Sequence, residues 1–281
     1  MAESFNSAAA HYQRVAVLQQ TVAKRLLERL QLINIDPGRV LDLGAGAGST
    51  ARLLAKSYHN AAIVHADLAL KMLCQSRQGF RRFFSRHAFV CTDAECLALA
   101  GSSIDLVFSN LMLQWCNDID QVFAEINRIT RSGGLFIFSS LGPDTLSELR
   151  QSWSAVDDTV HVNAFVDMHD LGDALVRAGF EQPVMETEGF TMTYRNVDSL
   201  MRELKLLGAH NVNVGRRRSL TGKGRLKGML NEYEKWRKEG RLPATYEVIY
   251  GHAWCRTQSE KQDPDRGVVS VPVSAITHRQ A

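Results

Sequence analysis

The chain has 281 residues, 45% hydrophobic and 22% charged, with a formal net charge of +3. That is enough for one sizeable core, or one core with an elaborated cap, in a soluble globular protein. So small a charge argues against a nucleic-acid partner for the whole chain, and no apolar run approaches the length needed to span a bilayer.

The five cysteines, Cys74, Cys91, Cys96, Cys116 and Cys255, are odd in number and match no zinc spacing. No metal is expected, and free thiols in a reducing compartment are the simplest reading. The N-terminus, MAESFNSAAAHYQRV, lacks a basic start followed by an apolar run and is not Arg-rich. Neither a secretory nor a mitochondrial leader is expected, so the expected compartment is the cytoplasm.

In chain order, Val15, Leu18, Val22, Leu26 and Leu30 recur at helical spacing and predict one helix over about 8–32. Pro37-Gly38 breaks the chain. Short apolar runs at 39–43, 61–66, 87–91, 104–109 and 135–140 then alternate with helical stretches, the last of them over 117–131. This alternation predicts βαβ units and a doubly wound, mostly parallel sheet with right-handed crossovers. Beyond 141 the pattern changes. Helices are predicted at 143–157 (Pro143 in its first turn), 168–178, 197–207 and around Leu226–Trp236, with strands at 181–192 and 244–254. The segment from Arg256 is polar and aperiodic and reads as poorly ordered.

The first strand runs into Leu41-Asp-Leu-Gly-Ala-Gly-Ala-Gly48. Glycines at 44, 46 and 48 allow a sharp turn and close approach of backbone to a ligand. A dinucleotide fingerprint would need glycine at 49, where Ser stands, and no P-loop lysine is present. The spacing disfavours a pyrophosphate. Asp67 ends the second strand, where a carboxylate can accept both hydroxyls of a ribose. Asp93 ends the third, where it can accept from an adenine amino group. Each of these acids could also serve only as a helix cap.

Val40–Gly48, Ala66-Asp-Leu68 with Met72, Asp93-Ala-Glu95 and Ile104–Asn110 together resemble class I S-adenosylmethionine-dependent methyltransferases. The resemblance implies a Rossmann-like seven-stranded sheet whose last strand is antiparallel. It also implies S-adenosylmethionine as cofactor, held by Gly44, Gly46, Gly48, Asp67, Leu68, Met72, Asp93, Ala94 and Asn110. Segments outside the core extend the likeness. Ser4–Tyr12, Asn110–Trp115, Leu141–Arg150, His161–Phe165, Leu204–His210, Leu220–Lys223 and Pro243–Glu247 resemble the malonyl-[acyl-carrier protein] O-methyltransferases of biotin synthesis. That family methylates the free carboxylate of a malonyl thioester. The glycine loop, Leu-Gln-Trp and Pro-Ala-Thr-Tyr also resemble hydroxylating assembly factors of respiratory complex I, and a small-molecule carboxyl methyltransferase would share the core.

Carboxylate methylation needs no general base, and the sequence shows no catalytic dyad. It needs in-line positioning, exclusion of water and a cation or donors to orient the carboxylate. Tyr12, Gln114 and Trp115 are candidate pocket walls, while Arg150, His161, Lys205 and His210 are candidates to meet the carboxylate. Core packing for Trp115 and solvated helix faces for Arg150 and Lys205 are the plain alternatives. Arg216, Arg217, Arg218, Lys223, Arg225 and Lys227 form a basic stretch without an acid between Val214 and Gly228. Such a patch suits an acidic acyl carrier protein, or is simply solvated. Arg77, Arg81, Arg82 and Arg86 could share its role. The expected organisation is an N-terminal helical lid (1–36), a cofactor-binding core (37–141), completion of the sheet with a helical cap (142–255) and a tail (256–281).

Overall fold

The computed structural model describes residues 2–80, 86–208 and 222–256, with the backbone alone at 10, 11, 13 and 14. Seven strands form one sheet: β1 (Arg39–Leu43), β2 (Ala62–Asp67), β3 (His87–Cys91), β4 (Ile104–Asn110), β5 (Thr130–Leu141), β6 (Phe180–Tyr194) and β7 (Leu242–Cys255). Their order is β3-β2-β1-β4-β5-β7-β6. Strands β1 to β5 pair in parallel, and β7 runs antiparallel to both its neighbours. This is the doubly wound, mostly parallel sheet that the alternating pattern predicts, with the seven strands and antiparallel β7 that the resemblance implies.

The central strands are buried on both faces, and their side chains divide with period two. Leu106, Phe108, Leu135 and Ile137 point into one core, with Val22, Leu26 and Leu54. Val107, Phe136 and Phe138 point into the other, with Phe123, Leu171 and Leu175. The helix α5 (Ile119–Ile129) shows how a sequence pattern makes such a layer. Asp118 caps it by accepting from the Gln121 N–H at 3.0 Å, and Val122, Phe123, Ile126 and Ile129 form its buried stripe. Among the described residues, no helix is long and apolar enough to cross a membrane.

Two predicted helices differ. The single helix at 8–32 is two, α1 (Ala2–Val15) and α2 (Val17–Leu30), broken at Ala16, whose ψ is 48°. The halves have different partners: α2 packs on α3 (Ser49–Ser57) and β5, whereas α1 lies against α4 (Leu70–Gln78) and α8 (Val197–Leu206). One straight axis cannot serve both. The helix predicted at 143–157 is α6 (Ser147–Ser154). The N–H groups of Gly142 and Asp144 donate to the main-chain and side-chain oxygens of Glu247, both at 2.9 Å, which holds 142–146 as a turn against β7. Leu146, with φ 55°, redirects the chain into the helix. Two further helices, α7 (Met168–Arg177) and α9 (Lys223–Glu234), complete the order. Strand β5 begins at Thr130 rather than 135, because a register shift absorbs Ser132-Gly-Gly134 within the strand.

Candidate active site

The order of strands reverses between β1 and β4. Their carboxyl ends open the crevice where open α/β sheets take ligands. Gly44 and Gly46 adopt φ of 78° and 51° there. The Gly44 and Ala45 N–H groups donate to the Ala66 carbonyl at 2.9 and 3.0 Å, folding the loop over the end of β2. Asp67 completes the tie. Its Oδ2 accepts from the Gly46 N–H at 2.8 Å and its Oδ1 from the Ala69 N–H at 2.7 Å. Each oxygen retains a lone pair for a ligand hydroxyl. A side chain built on Gly46 would meet nothing nearer than Tyr12 Cε1, at 3.9 Å, so the crevice floor is bare backbone.

Leu68, Met72 and Ala94 supply apolar walls, and Asp93 and Glu95 stand beside them. Asp93 Oδ1 accepts from the Glu95 N–H at 3.0 Å. Asn110 borders the crevice too, but its side chain is engaged: Nδ2 donates to the Gln19 carbonyl at 3.1 Å and Oδ1 accepts from Ser139 Oγ at 3.0 Å. The described lining carries acids and no Lys or Arg. Burial, then the Asp67 charge, pushes the carboxyl of Asp42 beneath the loop up to about 8. Burial, then the nearby Glu95 and Asp93, pushes the Cys116 thiol up to about 12. The lining acids Asp67, Asp93 and Glu95, with no Lys or Arg beside them among the described lining residues, suit a cationic ligand.

Gly48 sits elsewhere. It precedes α3 with φ 82°, and a Cβ there would lie 2.9 Å from Ser76 Cβ and 3.1 Å from Ser76 Cα. Its bareness serves the close packing of the loop on α4, and it does not line the crevice. Gly48→Ala is expected to cost about 3 kcal/mol of stability, from left-handed strain and overpacking together. Urea unfolding measures this, while the ligand affinity of the folded fraction should change less than threefold.

Beside the crevice lies a larger cavity of about 510 Å³. Phe5, Tyr12, Leu111 and Trp115 border both spaces, so the two meet at these side chains. Phe5 stands edge-on to Trp115, with ring centroids 5.3 Å apart. Gln114 lines the larger cavity, its Nε2 donating to the Leu111 carbonyl at 2.8 Å. His161 also lines it, stacked on Trp153 at 3.7 Å and bonded through Nε2 to Asp157 at 2.8 Å. Lys205 lies at the exposed edge, and among the described lining residues it is the one Lys or Arg.

Arg150 is not in this cavity. Its guanidinium donates to the carbonyls of Pro143 and Thr145, at 2.7 and 3.1 Å, and braces the turn before α6. Lys223 is exposed on α9 and lines neither space. His210, Arg216, Arg217 and Arg218, with Arg81, Arg82 and the tail from 257, lie outside the described residues. Sequence reasoning missed Gln19, Glu203 and Trp153 as cavity residues. The helical stripe marked their neighbours as core, but nothing local showed which polar residues face inward.

A methyltransferase domain family matches residues 41–138. The crystal structure of YcgJ from Bacillus subtilis superposes with a TM-score of 0.57 at 15% identity, covering 82% of this chain and 97% of that one. Fold and crevice thus define a class I methyltransferase, whose methyl donor is S-adenosylmethionine. The malonyl-[acyl-carrier protein] O-methyltransferase of Laribacter hongkongensis is 50% identical over 271 residues, 94% of this chain and 91% of its own. That of Gallionella capsiferriformans is 48% identical over 259 residues, 90% and 89% of the two chains. The chain belongs to the malonyl-[acyl-carrier protein] O-methyltransferase family. The residues present fit the donor: a bare glycine floor, a carboxylate with spare lone pairs ending β2, and an acidic lining for a sulfonium cation.

Proposed function

We propose that this chain transfers a methyl group to the free carboxylate of a malonyl thioester borne by acyl carrier protein, in the cytoplasm. The observation that carries this is the meeting of an acidic crevice with a separate, mostly apolar cavity at Phe5, Tyr12, Leu111 and Trp115. S-adenosylmethionine, when bound, supplies a methyl on a positively charged sulfur. The chain's own residues do the rest. Asp67 accepts the ribose hydroxyls, Asp93 and Ala94 meet the adenine, and Gly44 and Gly46 let the backbone approach the methionine part. The apolar walls, with Tyr12 and Trp115 at the junction, exclude water. That strengthens the attraction between carboxylate and sulfonium and strips hydration from the nucleophile. A carboxylate needs no base. Lys205, the one Lys or Arg among the described lining residues of the larger cavity, is the cation we assign to its outer oxygen, and burial followed by the Asp67 charge keeps the Tyr12 phenol protonated well above its ordinary range.

The carrier protein meets the start of α9, where Lys223, Arg225 and Lys227 are exposed, Lys223 and Lys227 on one face and Arg225 across the helix beside Asp157 at 3.8 Å. This helix packs on α6, which supplies Leu149 and Trp153 to the cavity. Reversing these three charges is expected to lower kcat/KM for malonyl-acyl carrier protein about 10-fold while malonyl-CoA loses less than threefold. Equal losses would remove the docking role. The reaction itself is tested with methyl-labelled S-adenosylmethionine and either malonyl thioester. Base-labile label on the thioester is expected; donor binding without any label transfer would overturn the proposal.

A further inference from the structure

One wall of the larger cavity carries negative charge. Tyr246 of β7 lines it and is 6% exposed. Glu203 of α8 lines it too, and its Oε1 accepts from the Tyr194 hydroxyl at 2.8 Å. On α6, the buried Glu148 accepts from both the N–H and the hydroxyl of Thr245, the residue before Tyr246. Burial holds the Tyr246 phenol above its ordinary range, and the charge of Glu203, then that of Glu148, raises it further. Among the described residues, neither acid belongs to a salt bridge. Lys205 stands two residues beyond Glu203 on the same helix, exposed, and residues so spaced on a helix do not face each other.

A carboxylate that is to be methylated must reach the junction with the crevice, at Phe5, Tyr12, Leu111 and Trp115. Tyr246, Glu203 and Glu148 line no part of the crevice. The rest of the acceptor therefore occupies the larger cavity, within the field of the two acids. That lining is mostly apolar, so a like charge there is screened less than in water. We propose that Glu203, backed by Glu148, is a charge filter: an acid is methylated only when its far end is uncharged. This rests on the malonyl-thioester reading above and adds what turns away the free diacid, which has the same carboxylate at one end and a second at the other. Glu203 is then a specificity-determining residue that acts against the wrong acceptor rather than for the right one.

The test compares kcat/KM for the S-ethyl half-thioester of malonate with that for free malonate, which is charged at its far end. In the unsubstituted protein malonate is expected to trail by at least about 10-fold. Glu203→Gln keeps an acceptor for the Tyr194 hydroxyl and removes the charge. It is expected to close that gap by about 10-fold, chiefly through a lower KM for malonate. Glu203→Asp keeps the charge and should keep the gap. Because the ratio is taken within one preparation, partial misfolding does not move it. Equal values for the two acceptors in the unsubstituted protein, a gap that Glu203→Gln leaves unchanged, or one that Glu203→Asp closes as far, overturns the inference. If the unsubstituted protein methylates neither acceptor, nor malonyl-CoA, it is the proposed function that fails.

Discussion

Asp67→Ala is expected to weaken S-adenosylmethionine binding by about 100-fold or more. Asp67 ties the glycine loop to the residue before α4, through the Gly46 and Ala69 N–H groups. Each hydrogen bond that the carboxylate would accept from a ligand hydroxyl contributes about 1.5–3 kcal/mol, so losing two costs the equivalent of at least a hundredfold. The loop bonds to the Gly46 and Ala69 N–H groups are lost as well and leave the loop less ordered. Asp67→Asn keeps one acceptor oxygen and should lose less. Calorimetric titration of the donor measures both variants; a dissociation constant for Asp67→Ala within threefold of the parent would show that the carboxylate is only a loop brace.

Asp42→Asn is expected to stabilise the protein on the alkaline side. Asp42 is 1% exposed, and its Oδ2 has no partner. Burial raises its carboxyl from 3.8 to about 8, and the Asp67 charge adds to this. Between those values the folded chain holds a proton that the unfolded chain has released. Stability therefore falls as pH rises through that window, by at most about 1.4 kcal/mol per pH unit. Asparagine has no proton to lose. The variant should gain up to about 5 kcal/mol at pH 7.5 and less than about 1 kcal/mol at pH 4. Urea unfolding at the two pH values reads the difference; equal gains at both would show that ionisation of Asp42 is not responsible.

The sheet was legible because each central strand is a short apolar run, and the alternation with helices admits few topologies. The crevice was legible for the same reason. Gly44, Gly46, Asp67 and Asp93 all lie at or just beyond strand ends, and one sheet edge gathers strand ends together. Gly48 shows the limit of that reasoning. Its need for φ 82° is a backbone fact shared with Gly44 and Gly46, but only the position of Ser76 reveals which neighbour it accommodates. The break at Ala16 was hidden because Leu18, Val22, Leu26 and Leu30 continue the periodicity of Val15, while the change of partner across the break is tertiary. Arg150 misled for a related reason. A cation near a pocket is visible in a sequence, but the two carbonyls that take up its guanidinium belong to a turn that the pattern assigned to a helix. On the acceptor side, the cavity draws on α1, α2, α6, α8 and β7, so no local motif spans it.

Helix α1 gives the two chambers a common term in their binding equilibria. It is fastened on one side by Ser4, which donates to the Gly208 carbonyl at 2.9 Å, and on the other by Asn6, which accepts from the Lys71 N–H at 2.9 Å. Seated there, α1 lines the donor crevice with Ala2, Phe5 and Tyr12, and the same Phe5 and Tyr12 line the acceptor cavity. A ligand that shifts the seating of this helix in one space shifts it in the other, and by linkage each ligand then changes the affinity of the other by the same factor. A dissociation constant measured for either substrate alone leaves that shared factor out.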